Sequence, residues 1–294
     1  MNNKKTIVIT GASSGIGKAT AIYFAQKGWN IAATMRNTDD ISDFASYPSI
    51  IPFKLDVTNA ESIKNAVPQI LHTFSDIDVL YNNAGYALAG AFEATTDEQV
   101  RKQFETNLFG VMNVTRAFLP YFRNKKKGII LNTTSSGGIL TFPLYSVYNS
   151  TKWALEGFME ALQYEVKSFN ISIKNIEPGT VKSEFINNIS FVSNPDYDNY
   201  AKKVQHNTLA SYKKAPTPDV VAKTVFKAAT DNRFKLRYPA TSQAKFAFFF
   251  RWLLPLNLFN KIVSAPVEKE IKTNDKASNI KSGVVGIEER SISH

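Results

Sequence analysis

Between residue 6 and about residue 240, short apolar runs alternate with longer segments whose apolar residues recur every three or four positions. The short runs are rich in β-branched residues and show little alternation, as strands covered on both faces do. They predict strands at Thr6–Thr10, Asn30–Met35, Ile50–Lys54, 78–82, 128–134, 172–176 and 234–238. The periodic segments predict helices near 16–27, 60–74, 97–123, 148–168 and 218–230. In the helix predicted over 148–168, Ala154, Leu155, Phe158, Leu162 and Val166 form one apolar stripe. Strands separated by helices imply crossover connections, hence an α/β architecture with a doubly wound parallel sheet. Pro68 fits its segment poorly, so that helix is expected to kink or to begin late.

Three regions fall outside the alternation. Residues 180–216 read as a long irregular stretch carrying Phe185, Ile186, Ile189, Phe191, Tyr197 and Tyr200. Such a length predicts either a substrate lid or disorder. Residues 242–264 read as an apolar helical segment closing a domain that spans 1–264, and 265–294 as a polar, mobile tail.

Composition narrows the function classes. A chain of 294 residues with 44% hydrophobic content can bury a sizeable core, and 20% charged residues are too few for a disordered chain. The net charge of +10 suits phosphorylated ligands, nucleic acid or an anionic membrane. No Lys/Arg-rich block forms a nucleic-acid arm, so no nucleic-acid partner is expected. The absence of cysteine excludes disulfides, thiolate metal sites and a thiol nucleophile. His72, His206 and His294 are too scattered to suggest a metal site. The apolar run behind "MNNKK" is too short for a signal peptide, so a cytoplasmic location is expected.

The chemistry begins in "TIVITGASSGIGKATAIYF", a strand, a glycine-rich turn and a helix in succession. Gly11, Gly15 and Gly17 permit a tight turn and close approach of a pyrophosphate to the backbone, with Ser13, Ser14 and Ile16 in the same turn at an open helix end. An ordinary strand-to-helix turn would use similar residues. Arg36 comes after the second strand, where an acidic residue would take ribose hydroxyls and a guanidinium would grip a 2′-phosphate. This charge logic favours NADP over NAD; the alternative is a solvated arginine with Asp39 capping the next helix. Asp56 is placed either to meet an adenine edge or to cap a helix. Tyr148 and Lys152, four positions apart, lie on one helix face. There an ammonium would draw a phenol's pKa downward, unless the two are merely an amphipathic pair at a helix end.

"TGASSGIG", "NNAG" at 82–85, Asn107, Ser135 and "YNSTK" at 148–152 resemble, in order and spacing, the short-chain dehydrogenase/reductase superfamily over about the first 240 residues. "IEPG" at 176–179 is similar to the family's nicotinamide-facing turn, and "TMR" at 34–36 to its NADP-preferring members. "NNAGYALAG" is similar to the branch of hydroxysteroid, retinol and acyl-dihydroxyacetone-phosphate reductases. The resemblance implies a single Rossmann domain with a seven-stranded sheet of order 3-2-1-4-5-6-7. It implies NADP(H) held also by Val57, Asn83, Ala84, Gly85, Pro178, Gly179, Val181 and Ser183, as well as by Tyr148 and Lys152. It gives Tyr148 the role of general acid/base, Ser135 a bond to the reacting oxygen, Lys152 a grip on the ribose, and Asn107 a bound water. It also implies a homodimer or homotetramer built from the helices predicted at 97–123 and 148–168.

The loops expected beyond the strands' carboxyl ends are apolar. Tyr86, Leu140, Phe142, Tyr145, Phe185 and Phe191 are the residues expected to contact an apolar carbonyl or alcohol. "AKFAFFFRWLLPLNLFNKIV", 244–263, is too short between charges to cross a bilayer. It could cover the pocket, meet a second subunit or rest on a membrane surface. The leading expectation is an NADP(H)-dependent oxidoreductase. Its alternatives are a non-catalytic dinucleotide sensor on the same fold and a membrane-peripheral lipid reductase.

Overall fold

A computed structural model describes residues 4–268. Strands β1 (Thr6–Thr10), β2 (Asn30–Met35), β3 (Ile50–Lys54), β4 (Val79–Asn82), β6 (Gly128–Thr133), β7 (Ile171–Glu177) and β9 (Arg237–Pro239) form one parallel sheet. Its order, β3-β2-β1-β4-β6-β7-β9, is the doubly wound order expected. A separate parallel pair joins β5 (Ala87–Gly90) to β8 (Ile189–Val192), with Ala87 opposite Ile189 and Ala89 opposite Phe191.

Alternate residues of each strand supply two cores. Val8 and Leu80 point to the side of α2 (Ala60–Thr73), α4 (Gly110–Lys125) and α5 (Ser146–Val166), where Phe118, Phe122, Leu155 and Met159 pack. Ile7, Ile9 and Tyr81 point to the side of α1 (Gly15–Gln26) and α7 (Asp219–Thr230), where Phe24, Trp29, Val221 and Val225 pack. Phe118 is wholly buried, and its truncation to alanine would cost about 3–5 kcal/mol.

A row of amides crosses the sheet in register. Asn82 donates to Asn132 at 3.0 Å, Asn132 to Asn175 at 3.2 Å, and Asn175 to the Glu156 carboxylate at 2.9 Å. Asn82 also donates to Thr115 at 3.0 Å.

Several expectations are corrected. The helix expected at 97–123 runs without a gap to Lys125, but a π-helical turn (Glu105–Phe109) separates α3 (Asp97–Phe104) from α4 where Asn107 turns inward to bond another segment. The helix containing Pro68 does not begin late. Asn59 caps it, accepting from Ser62 N–H at 2.9 Å, and the buried stripe of Ile63, Ala66, Val67 and Ile70 carries it through the proline to Thr73. Residues 180–216 are not irregular; they contain β8 and α6 (Asp198–Lys214). Val204 is the one buried residue of α6, so the helix left little apolar period to read. The last strand lies at Arg237–Pro239 rather than 234–238. Beyond it, α8 (Ser242–Leu253) and α9 (Leu256–Glu268) carry helix past the expected end at 264. The remainder of the polar tail expected over 265–294 lies outside the described residues.

Candidate active site

The carboxyl ends of β1, β2, β4, β6 and β7 open on one crevice of ≈ 1310 Å³. Gly11 leaves β1 with φ +65°, and a Cβ there would sit 2.8 Å from the Ala84 Cα. Only glycine serves such a turn without strain. The neighbouring segment is stitched to it: Asn83 Nδ2 donates to the Thr10 and Gly11 carbonyls, each at 3.1 Å, and the Asn83 and Ala84 N–H groups donate to Thr10 Oγ1. Gly17 is buried against Gly11 and Asn83 and lies outside the lining, so it shapes the turn rather than facing the crevice. The α1 amino terminus carries no acidic residue in its first turn, and Ser14 makes no capping bond. Its N–H groups remain open to an anion.

Ser13, Ser14, Gly15, Ile16, Arg36, Asp56, Val57, Asn83, Ala84, Gly85, Pro178, Gly179, Val181 and Ser183 all line the same crevice. Arg36 is exposed just past β2 and forms no ion pair among the described residues. The turn after it is closed by Asn37 and Asp40, not by Asp39. The Asp56 carboxylate accepts from the Thr58 N–H at 2.9 Å and its hydroxyl at 2.8 Å, while Asn59 caps α2. Asp56 is therefore no helix cap. A turn built for close anion approach, an open helix end and an unpaired guanidinium fit a phosphorylated dinucleotide.

At the other end of the crevice, Ser135 follows β6 and Tyr148 stands in the first turn of α5, with Lys152 one turn later. Ser135 lies beside the Tyr148 phenol, close enough to pull its pKa down, and its Oγ accepts from the Gly137 N–H at 3.0 Å. The Lys152 ammonium lies 5.8 Å from the Tyr148 ring centre and donates to the Thr133 carbonyl at 2.9 Å. Tyr145 and Phe185 close edge-on over the phenol, with ring centres at 6.2 and 6.3 Å. The predicted electrostatic effect is reversed in this setting. Burial pushes the Tyr148 phenol up to about 12, against the lowering influence of Ser135 beside it. Burial also brings the Lys152 ammonium down to about 8, against the attraction of Glu156. Spacing alone led to the opposite expectation because it carries no information on desolvation.

Beneath Lys152 on α5, Glu156 accepts from Arg237 Nε at 3.3 Å. Glu177, fully buried at the end of β7, lies 3.6 Å from the same guanidinium, and neither of its oxygens has a hydrogen bond among the described residues. Burial, reinforced by Glu156, pushes the Glu177 carboxyl up to about 9.

Asn107 is buried rather than solvent-facing and lies outside the crevice lining. Its Oδ1 accepts from the Tyr86 N–H at 3.1 Å, and its Nδ2 donates to the Tyr86 carbonyl at 2.9 Å and to Thr151 at 3.3 Å. Gln103, which sequence reasoning missed, stands one turn earlier; it donates to the same carbonyl at 2.9 Å and accepts from the Leu88 N–H. Together they hold the loop that presents Tyr86. The signal was two amides four positions apart on one helix. Tyr86, Phe142, Tyr145 and Phe185 line the crevice as expected. Leu140 and Phe191 do not: Leu140 is buried under Trp153, whose indole donates to its carbonyl, and Phe191 is occupied in the β5–β8 pair. The far wall, from Val204 and Thr208 of α6 to Val263 and Val267 of α9, was also missed.

A family model described as short chain dehydrogenase matches residues 5–191. An uncharacterized oxidoreductase of Bacillus subtilis, YusZ, is 35% identical over 274 residues, covering 89% of this chain and 98% of the relative. A 3-ketodihydrosphingosine reductase of Bacteroides thetaiotaomicron is 40% identical over 182 residues, covering 62% and 66%. Among solved structures, a short-chain dehydrogenase from Streptomyces avermitilis superposes with a TM-score of 0.78 at 32% identity, covering 90% of this chain and 99% of that one. The structure of ElxO with NADP bound gives 0.70 at 28% identity, covering 81% and 97%.

Proposed function

The chain belongs to the short-chain dehydrogenase/reductase family and is an oxidoreductase, and on that premise we propose that it uses NADP(H) to interconvert an apolar carbonyl compound and its alcohol. The observation that carries the reading is the buried Tyr148 phenol with Ser135 and Lys152 beside it, in one crevice with the glycine turn.

The open α1 terminus and the Gly11 turn would hold the pyrophosphate, and Arg36 the 2′-phosphate by parallel hydrogen bonds. Lys152 would hold the nicotinamide ribose, and Pro178 and Gly179 would border the ring. NADP(H), when bound, supplies or accepts the hydride. Ser135 and Tyr148 would both donate to the carbonyl oxygen, stabilising the charge that develops there. A phenol pushed up to about 12 is protonated at neutral pH, so the resting group is in the state that a reduction requires of its proton donor. Tyr86, Phe142, Tyr145 and Phe185 keep water from the phenol and suit a steroid-, retinoid- or lipid-like substrate. The 3-ketodihydrosphingosine reductase relative supports the lipid-like end of that range.

The reading is tested by following NADPH absorbance with a panel of long-chain ketones and aldehydes. Tyr148→Phe is expected to lower turnover about a thousandfold while leaving NADPH affinity unchanged. A variant that keeps most of its rate overturns the proton-donor assignment. Arg36→Asp is expected to weaken NADPH binding relative to NADH by about tenfold or more; equal affinity of the unaltered protein for both removes the case for NADP.

A further inference from the structure

The last two helices present an apolar face that the dehydrogenase core does not cover. Phe246, Phe249, Phe250 and Leu253 recur at helical spacing along α8 and are all exposed, Phe246 to 65%, with Trp252 beside them at 81%. Leu256, Leu258 and Ile262 extend the exposed apolar surface along α9. So many large side chains within two turns of one another exceed what a monomer's surface tolerates without purpose. Neither helix is among those long and apolar enough to cross a membrane; none of the described helices is.

Charge selects the occupant. Lys245, Arg251 and Lys261 interrupt the apolar face, and no aspartate or glutamate occurs between Ser242 and Val267. Arg251 lies over the Phe259 ring at 5.8 Å, which leaves its charge at the rim of the patch. A two-fold contact between copies would set these cations against one another, and the segment from Ser242 to Val267 supplies no acid to offset them. An anionic lipid surface would meet the same cations favourably while its acyl boundary takes the rings. The whole chain, at +10, adds to that attraction.

We propose that α8 and α9 lie in the interfacial plane of an anionic bilayer. α9 faces two ways: Leu258 and Ile262 point outward, while Val263, Pro266 and Val267 belong to the crevice wall. Docking therefore places the α9 wall of the crevice against the lipid. If the substrate is apolar, as proposed above, it passes from the acyl layer to Tyr148 without crossing water; the docking itself does not depend on that reading.

The test uses the full chain with NADPH and two sets of vesicles, phosphatidylcholine alone and phosphatidylcholine enriched in phosphatidylglycerol. The native protein is expected to sediment with the anionic set and far less with the neutral one. The triple change Phe246→Ser, Phe249→Ser, Phe250→Ser and, separately, Lys245→Glu with Lys261→Glu are each expected to lower vesicle binding by about tenfold or more. Both should keep the native melting temperature, the native mass by light scattering and the native rate on a short water-soluble carbonyl. Absence of native binding, or binding unchanged in both variants, overturns the proposal. So does a triple variant that falls to a smaller assembly, which would make the patch a subunit contact. Loss of all carbonyl reduction by the native protein would overturn the proposed activity instead, and leaves the vesicle result standing.

Discussion

Two buried lysines on opposite sides of the sheet show how one side chain is used for two ends. Lys174 of β7, 1% exposed, turns toward α7 and spends its charge at once: it donates to the Ala228 carbonyl at 2.7 Å and to the Asp231 carboxylate at 2.8 Å. Burial alone would raise the Asp231 carboxyl, but the bonds from Lys174 and Tyr238 outweigh it and hold it low. Lys152 of α5 makes one bond, to a neutral carbonyl, and keeps its remaining donors toward the crevice. Burial with little compensation brings it down to about 8. A lysine whose partners are complete ties a helix end to a strand. A lysine left short of partners is poised for a ligand.

Substitution by methionine should separate the two roles. Lys152→Met is expected to lower turnover about a thousandfold with the melting temperature held or slightly raised, since it removes a buried charge with few bonds. Lys174→Met is expected to do the reverse, costing about 3 kcal/mol in a denaturant titration because Asp231 is left unpaired, with turnover per folded molecule unchanged. If both variants lose stability alike, the contrast fails.

pH sharpens the same contrast. Lys152 is charged below about 8, so kcat/KM for reduction should fall about tenfold for each unit above that value. Its folded value lies below the unfolded one, so between about 8 and 10.5 the unfolded chain binds the extra proton and this residue makes stability rise with pH. That slope should vanish in Lys152→Met. Glu177 acts in the opposite sense. Its value is raised from 4.5 to about 9, so its contribution is intact below 4.5 and is lost as pH climbs toward 9. Glu177→Gln should raise the melting temperature at pH 8 and change it little at pH 4.

The features legible in the sequence were those that local spacing encodes. β1, β2 and β3 begin and end where their apolar runs do, because a strand covered on both faces has no other place to break. The glycine turn and the Tyr148–Lys152 pair were legible for the same reason, each lying within one turn or one helix. The β5–β8 pair was not, since its strands are short and lie about a hundred residues apart. The wall formed by α6 and α9 was hidden because α6 buries almost nothing and so shows no period. Leu140 and Phe191 were misplaced because an apolar residue in a connecting segment looks the same whether it faces a crevice or a neighbour. Gln103 and Asn107 read as helix polarity; only tertiary structure shows both bonded to the Tyr86 backbone.

The amide row from Asn82 through Asn132 and Asn175 to Glu156 has a consequence for assembly of the chain. Parallel strands drawn from distant segments must choose among several sliding alignments, and hydrophobic residues alone tolerate a shift of two. Moving any one of these strands by a single step would strand a carboxamide in an oily layer without a counterpart. The row thus acts as a combination lock, leaving one alignment in which every key meets its neighbour and placing the ends of β6 and β7 level beneath the crevice.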